Sequence, residues 1–91
     1  MVKLELVYCA AWNYTNRAVS LMAEILGDES IEMQVESFSL VPSDGGKFEF
    51  KANDSMLYSK KQVGRHAEQG EVLNLLRKYL SENAWPLKNA C

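Results

Sequence analysis

The spacing of the apolar residues changes once near the N-terminus, and this change constrains the fold more than any other feature. Over residues 2–8 apolar and charged residues alternate, which is typical of a β-strand with one buried face. Over residues 13–26 the apolar residues recur every three or four positions, which is typical of an amphipathic helix. The apolar stripe of this helix consists of Tyr14, Ala18, Leu21, Met22 and Ile25. The chain is therefore predicted to open with a strand that leads directly into a helix.

The ends of this first helix carry residues that are common at helix termini. Asn13 or Thr15 is a candidate N-cap, because a short polar side chain can accept a hydrogen bond from a free backbone N–H. Gly27 is a candidate for the left-handed residue that commonly follows a helix.

A second strand is predicted where Ile31, Met33 and Val35 alternate with polar residues. The alternation changes phase near residues 36–37, after which Phe38 and Leu40 are the apolar positions. One extra residue in a strand has this effect, so we expect a β-bulge there.

The remaining pattern predicts two more strands and a second helix. Residues 42–46 have the composition of a turn, and residues 40–59 are predicted to form antiparallel hairpin structure, with Phe48 and Phe50 buried. Residues 60–69 are polar and predicted as a loop, and residues 71–80 are helical by their apolar spacing. The order β-α-β-β-β-α predicts a chain of the α/β class. We expect it to form an α+β two-layer sandwich, in which the helices pack on a four-stranded mixed sheet.

Length and charge exclude several classes of protein. Ninety-one residues suit one domain, which we place at residues 1–80 with a tail at 81–91. A net charge of −2 gives no basic face for nucleic acid, and no apolar run is long enough to cross a membrane. Glu5 interrupts the apolar run that a secretory signal would need. Two distant cysteines and one histidine favour neither a disulfide framework nor a metal site, so a cytoplasmic location is predicted.

Cys9 is the residue with the clearest chemical potential, because it lies where the first strand meets the first helix. A helix N-terminus favours an anion, and a thiol placed there has its pKa lowered toward the range in which the reactive thiolate forms. The alternative is that Cys9 is a small buried apolar residue, which is common for a free cysteine. The spacing alone leaves both interpretations open.

Several segments, in order along the chain, resemble the selenoprotein W-like (Rdx) family. They are residues 6–9 (LVYC), 13–18 (NYTNRA), 40–50 (LVPSDGGKFEF), 57–61 (LYSKK) followed by Gly64-Arg65, and 71–73 (EVL). The resemblance implies a thioredoxin-like fold and a thiol-redox role in cell redox homeostasis. It places Cys9 at the first position of the family's Cys-x-x-Cys or Cys-x-x-selenocysteine site.

Trp12 stands where the resemblance places the second sulfur or selenium, and an indole can form no disulfide. One explanation is a loss of the second thiol. The other is a selenocysteine position, since the tryptophan codon differs by one base from the selenocysteine codon. The chain as given favours the first. Two functions follow, a redox protein that acts through the single thiol Cys9, or a non-enzymatic protein-binding module that retains the fold.

Other candidate residues carry weaker signals. The resemblance implies no bound cofactor, with glutathione or a protein thiol as partner, and leaves the oligomeric state open. Arg65 and the pair Lys60-Lys61 are candidates for contact with an anionic partner, although basic loop residues are usually only solvated. His66 is predicted on the solvated surface, and Cys91 is a weak candidate for a second, resolving thiol.

Overall fold

The computed structural model describes residues 1–82 and contains four strands and four helices in this range. In chain order these are β1 (Val2–Cys9), α1 (Thr15–Leu26), α2 (Glu29–Glu32), β2 (Val35–Ser43), β3 (Phe48–Ala52), β4 (Ser55–Ser59), α3 (Lys60–Val63) and α4 (Glu71–Glu82). The predicted order of the main elements is confirmed, and α2 and α3 are short additions to it. None of the helices in residues 1–82 is long and apolar enough to cross a membrane.

The strands form one mixed sheet in the order β2-β1-β3-β4. β1 pairs in parallel with β2 and antiparallel with β3, and β3 and β4 form a hairpin around Asn53 and Asp54. The expected hairpin over residues 40–59 is therefore correct for β3 and β4 only, because β1 lies between β2 and β3. The edge position of β2 explains how it accommodates Pro42, which lacks the N–H that a central strand needs.

Helices α1 and α4 pack against each other and against the sheet, α1 on β1 and α4 on β3 and β4. The predicted register is confirmed, because Phe48 and Phe50 on β3 are buried. The fully buried centre of the core combines side chains from two strands, β1 and β3, and both long helices: Leu4, Leu6, Phe50, Ile25, Val72 and Leu76. Burial of this apolar surface is the main contribution to the stability of the fold.

The predicted start of the second strand is wrong. Residues 29–32 are helical, and β2 begins at Val35. Asp28 caps this short helix, since its carboxylate accepts hydrogen bonds from the Ser30 N–H at 3.1 Å and the Ser30 hydroxyl at 2.7 Å. Ile31 turns into the core while Met33 is 72% exposed, so the two do not share a face of a strand.

The predicted β-bulge is confirmed and falls on one residue. Val2 pairs with Val35 and Lys3 pairs with Ser37, so Glu36 is the extra residue on β2. The bulge brings Phe38 and Leu40 into register with Leu4 and Leu6, which are buried residues of β1.

Three other details differ from the sequence prediction. Gly27 has a right-handed backbone with φ −70°, and α1 is followed at once by the cap of α2, so no left-handed residue is needed. Residues 60–63 form a helical turn rather than a loop, because the Ser59 hydroxyl accepts the N–H of Gln62 and caps it. Helix α4 continues to Glu82, two residues beyond the predicted end.

Candidate functional site

Cys9 is the last residue of β1, and its side chain is fully buried. β1 lies between β2 and β3, and Cys9 is paired in register with Ser43 at the end of β2. The next residue, Ala10, continues the ladder through a hydrogen bond from its N–H to the Ser43 carbonyl at 2.9 Å. The backbone at Cys9 is therefore held in place by strand pairing with β2.

The sulfur of Cys9 also accepts a backbone hydrogen bond. The Trp12 N–H donates to Cys9 Sγ, with nitrogen and sulfur 3.2 Å apart. Position 12 thus supplies the thiol with a donor from its main chain, which any residue except proline could do.

Residues 10–13 form a turn between β1 and α1, closed by hydrogen bonds from the Asn13 N–H to the Ala10 carbonyl and from the Tyr14 N–H to the Cys9 carbonyl. Asn13 has a positive φ of 61°, and α1 begins only at Thr15. Trp12 therefore lies before the helix, and the left-handed residue Asn13 separates it from α1. Neither expected cap is used, since Tyr14 is the N-cap and makes no capping bond with its side chain.

The Trp12 side chain is 60% exposed and lies against the connection between β2 and β3. Its ring packs edge-on to Tyr14, with centroids 6.2 Å apart. A Cβ atom at Gly46 would lie 2.6 Å from Trp12 Cζ3, so the indole occupies space that any other residue at Gly46 would need. The sequence assigned Gly46 only to a turn, and no local pattern links it to a residue 34 positions earlier.

Tyr14 connects the cysteine turn to a second group of side chains. Its ring packs edge-on to His66 at 4.7 Å and to Phe48 at 6.5 Å, and the Lys60 ammonium lies 6.0 Å from its centroid. The predicted solvated position of His66 is wrong, because the ring is half-buried between Tyr14 and Phe48. Burial, and then the charges of Arg17 and Lys60, lower the pKa of His66 below its ordinary value of 6.5.

Arg65, a candidate for binding an anionic partner, is instead paired with a carboxylate of the same chain. Its guanidinium makes two hydrogen bonds to the Glu71 carboxylate, at 2.7 and 2.9 Å. The Glu68 N–H donates to the same carboxylate at 2.9 Å. These contacts lower the pKa of Glu71 to about 2, and the hydrogen bonds from Arg65 make the largest contribution. The segment that carries His66 is thereby fixed to the start of α4.

Two further possibilities from the sequence concern a metal site and a second thiol. Within residues 1–82, no group of three histidine, cysteine, aspartate or glutamate residues is placed to hold a metal ion. Cys91, the weak candidate for a resolving thiol, and most of the predicted tail lie outside the described residues.

Comparison with known proteins identifies the family. A comparison with curated proteins gave no match. A selenoprotein W-related protein from Vibrio cholerae has a similar structure, with a TM-score of 0.78 and 26% identity over 87% of this chain and 96% of that chain. A protein from Bordetella parapertussis shares the fold, with a TM-score of 0.79 and 23% identity over 87% of this chain and 98% of that one.

These similarities confirm the thioredoxin-like fold, with its four-stranded mixed sheet. The model of the Rdx family matches residues 3–78, from the first strand into the last helix. Since that match covers most of the chain, this protein belongs to the Rdx family, a redox family with a thioredoxin-like fold.

Proposed function

We propose that this chain is a one-thiol redox protein that acts in cytoplasmic redox homeostasis, with Cys9 as the reacting group. The observation that supports this most directly is the hydrogen bond from the Trp12 N–H to Cys9 Sγ, because it holds the sulfur, which is the reacting atom, in one position beside the turn. Membership of the Rdx family supports the same proposal. The partner is a small thiol such as glutathione or a protein thiol, and no bound cofactor takes part.

The proposed reaction is thiol–disulfide exchange in two steps. The Cys9 thiolate attacks one sulfur of an oxidised partner, a mixed disulfide forms, and the other partner sulfur leaves as a thiolate. An external thiolate then attacks the partner sulfur of the mixed disulfide and releases Cys9. Trp12 has no sulfur, so the second step requires this external thiol.

The burial of Cys9 adds a condition to this reaction. Its side chain is fully buried, so a disulfide can reach Sγ only after a local movement of the structure. The turn at residues 10–13 contacts the sulfur through the Trp12 N–H and is the segment that we expect to move. This turn is short and its residues are mostly exposed, and segments with few buried contacts open at low cost in free energy. Displacement of this turn is therefore the step that controls access to the sulfur.

The second candidate function is a protein-binding module without turnover. It is favoured by the contrast between the buried Cys9 and the 60% exposed Trp12 in the same turn. A large exposed aromatic residue is a common anchor in protein interfaces. In this case Cys9 contributes packing, and Trp12 contacts the partner.

The two functions differ in the reactivity of the native thiol. A Cys91→Ser variant would be incubated with oxidised glutathione at neutral pH and analysed by intact mass. We expect one glutathione adduct, located on Cys9 by peptide mapping and removed by added thiol. Cys9→Ser/Cys91→Ser is the control and should gain no mass. An adduct that forms only in denaturant would contradict the redox proposal and favour the binding module.

A further inference from the structure

A groove of about 770 Å³ lies beside α1, against the segment that carries His66, and the proposed thiol chemistry does not use it. It is lined by one face of α1, by Phe48 of β3 and by residues 66–69. A volume of this size is in the range of small-molecule sites in proteins. Mixed apolar and charged walls of this kind can fix the orientation of a ligand as well as bury it.

The groove has an apolar part built from core residues. Leu21 and Phe48 are buried members of the main core that also contribute to the groove wall, and Ala67 is packed against that core. These residues are fixed by packing with the sheet and α1, so the apolar wall is formed in advance. It would cover the body of a ligand that is itself apolar.

One wall residue, His66, has a ring nitrogen that lacks a hydrogen-bond partner within residues 1–82. His66 Nδ1 is buried and has no hydrogen-bond partner among the described residues. The His66 ring is held on two sides by Tyr14 and Phe48, so the ring cannot easily turn to find one. Buried polar atoms without a partner are uncommon in proteins and often mark sites of function.

Two cations near this histidine are also without acidic partners. Lys3, Arg65 and Arg77 each form an ion pair with a carboxylate, whereas Arg17 and Lys60 form none within residues 1–82. Arg17 lies on the groove wall, whereas Lys60 lies outside it, 6.0 Å from the centroid of the Tyr14 ring. Arg17 is therefore the cation of the wall that can pair with an anionic ligand.

The other charged residues of the groove are acidic and limit the charge of a ligand. Glu24 lies seven residues beyond Arg17 on α1, which is about 10 Å along a helix. Glu68 follows His66 by two residues on the opposite wall. A second negative charge on a ligand would meet these carboxylates, so the groove favours a single negative charge.

We propose that this groove binds a small organic monocarboxylate. The carboxylate lies at Arg17 and His66, and the apolar body lies against Leu21 and Phe48. Arginine is well suited to the carboxylate end, because its guanidinium can donate two parallel hydrogen bonds to both oxygens. The site does not include Cys9, so its occupancy is independent of the proposed redox function.

The test compares a carboxylate with its neutral isostere. 3-Phenylpropionate and 3-phenylpropanamide would be titrated into the ¹⁵N-labelled full chain at low salt, and amide shifts would be followed over residues 16–24 and 66–69. We expect the carboxylate to bind about tenfold more tightly, because hydrogen bonds to a charged group are the stronger ones. Arg17→Gln should remove this preference. Lys61→Gln changes an exposed cation outside the groove and should keep it.

Three results would overturn the proposal. One is equal affinity for the acid and the amide, or no binding of the acid. Another is a set of shifted amides that lies away from residues 16–24 and 66–69. The third is an Arg17→Gln variant that retains the preference for the carboxylate. Because none of these measurements involves the thiol, their failure would leave the Cys9 proposal unaffected.

Discussion

At the scale of single residues, the main chain and the side chain of Trp12 contribute differently to the site. The Trp12 N–H donates to Cys9 Sγ, and this contact does not depend on the indole. The indole is largely exposed and lies against Gly46, in the connection between β2 and β3. Replacement of a thiol by tryptophan at this position would therefore remove the second sulfur while the hydrogen bond to the first one is retained.

Trp12→Cys is predicted to create a reversible intramolecular disulfide with Cys9. The backbone nitrogen of residue 12 is already 3.2 Å from Cys9 Sγ, so a short side chain there starts close to the sulfur. A disulfide needs Cβ atoms roughly 3.5–4.5 Å apart, which a small shift of the turn can reach. The measurement is thiol counting and intact mass after mild oxidation, on a Cys91→Ser background, together with an assay for disulfide-reductase turnover.

Asn13→Cys on the same background is the matched control for this prediction. It places a thiol in the same turn, but its N–H is bonded to the Ala10 carbonyl rather than to sulfur. We expect free thiol or intermolecular dimers from this control. If Trp12→Cys also gives only dimers, or only overoxidised Cys9, then position 12 does not face the sulfur and is not the second redox position.

At the scale of elements, the turn at residues 10–13 and the connection between β2 and β3 hold each other in place. Gly46→Ala is predicted to displace the Trp12 indole, since the new Cβ would lie 2.6 Å from Cζ3. The displaced turn should expose Cys9, so its alkylation should become faster. We expect a rate increase of about fivefold, which corresponds to a loss of about 1 kcal/mol in the local stability of the turn. The rate of Cys9 alkylation would be measured by mass on a Cys91→Ser background, in which Cys9 is the single thiol. The environment of Trp12 would be measured by fluorescence on a Trp85→Phe background, in which Trp12 is the single tryptophan.

Gly45→Ala is the control, because Gly45 has nearly the same positive φ of 73° but no atom near its Cβ position. Both variants carry the same backbone strain, and only one meets the indole. Equal alkylation rates in the two variants would mean that Trp12 does not control access to Cys9.

The sequence predicted those elements whose patterns are local. Alternation located β1 and β3, and the phase change near residues 36–37 located the bulge at Glu36. It failed at residues 31–33, because Ile31 and Met33 repeat with the spacing of a strand although Asp28 caps a helical turn there. The Asp28 carboxylate is held by Arg77, 49 residues away, and such a contact leaves no local pattern.

The same distinction applies to the candidate site. Cys9 and Trp12 are three residues apart, and their junction between strand and helix was evident from the spacing. Gly46 and His66 reach the site only through the packing of β3 and the aromatic contacts of Tyr14. No property of a polar loop indicated that its histidine would be half-buried, since the burial is imposed by residues far away in the chain.

At the scale of the whole molecule, two carboxylates join distant segments and make stability depend on acid pH. Asp28 connects α2 to α4 through Arg77, and Glu71 connects α4 to the segment at Arg65. The pKa of each is lowered to about 2, Asp28 mainly by Arg77 and then by Ser30, and Glu71 mainly by Arg65. Their contribution is complete above about pH 5 and is lost as pH falls toward 2, because the unfolded groups titrate near 4.

His66 adds an earlier stage to this profile. Its pKa is lowered in the folded protein, so the unfolded chain takes up a proton first as pH falls below about 6.5. The free energy of unfolding should therefore decline in two stages, one that begins near pH 6.5 and one below pH 5. Since His66 is the single histidine of the chain, the first stage has one assignable source among the side chains.

Urea unfolding between pH 8 and pH 2.5 would measure both stages. His66→Phe should remove the first stage and leave the second, because a phenylalanine ring can pack between Tyr14 and Phe48 without a proton to gain. Glu71→Gln should keep the first stage and reduce the second, since it leaves the histidine ring in place and removes one of the two carboxylates. An unchanged slope between pH 7 and pH 5 in His66→Phe would show that the histidine is solvated in both states. The burial of His66 against Tyr14 would then be incorrect.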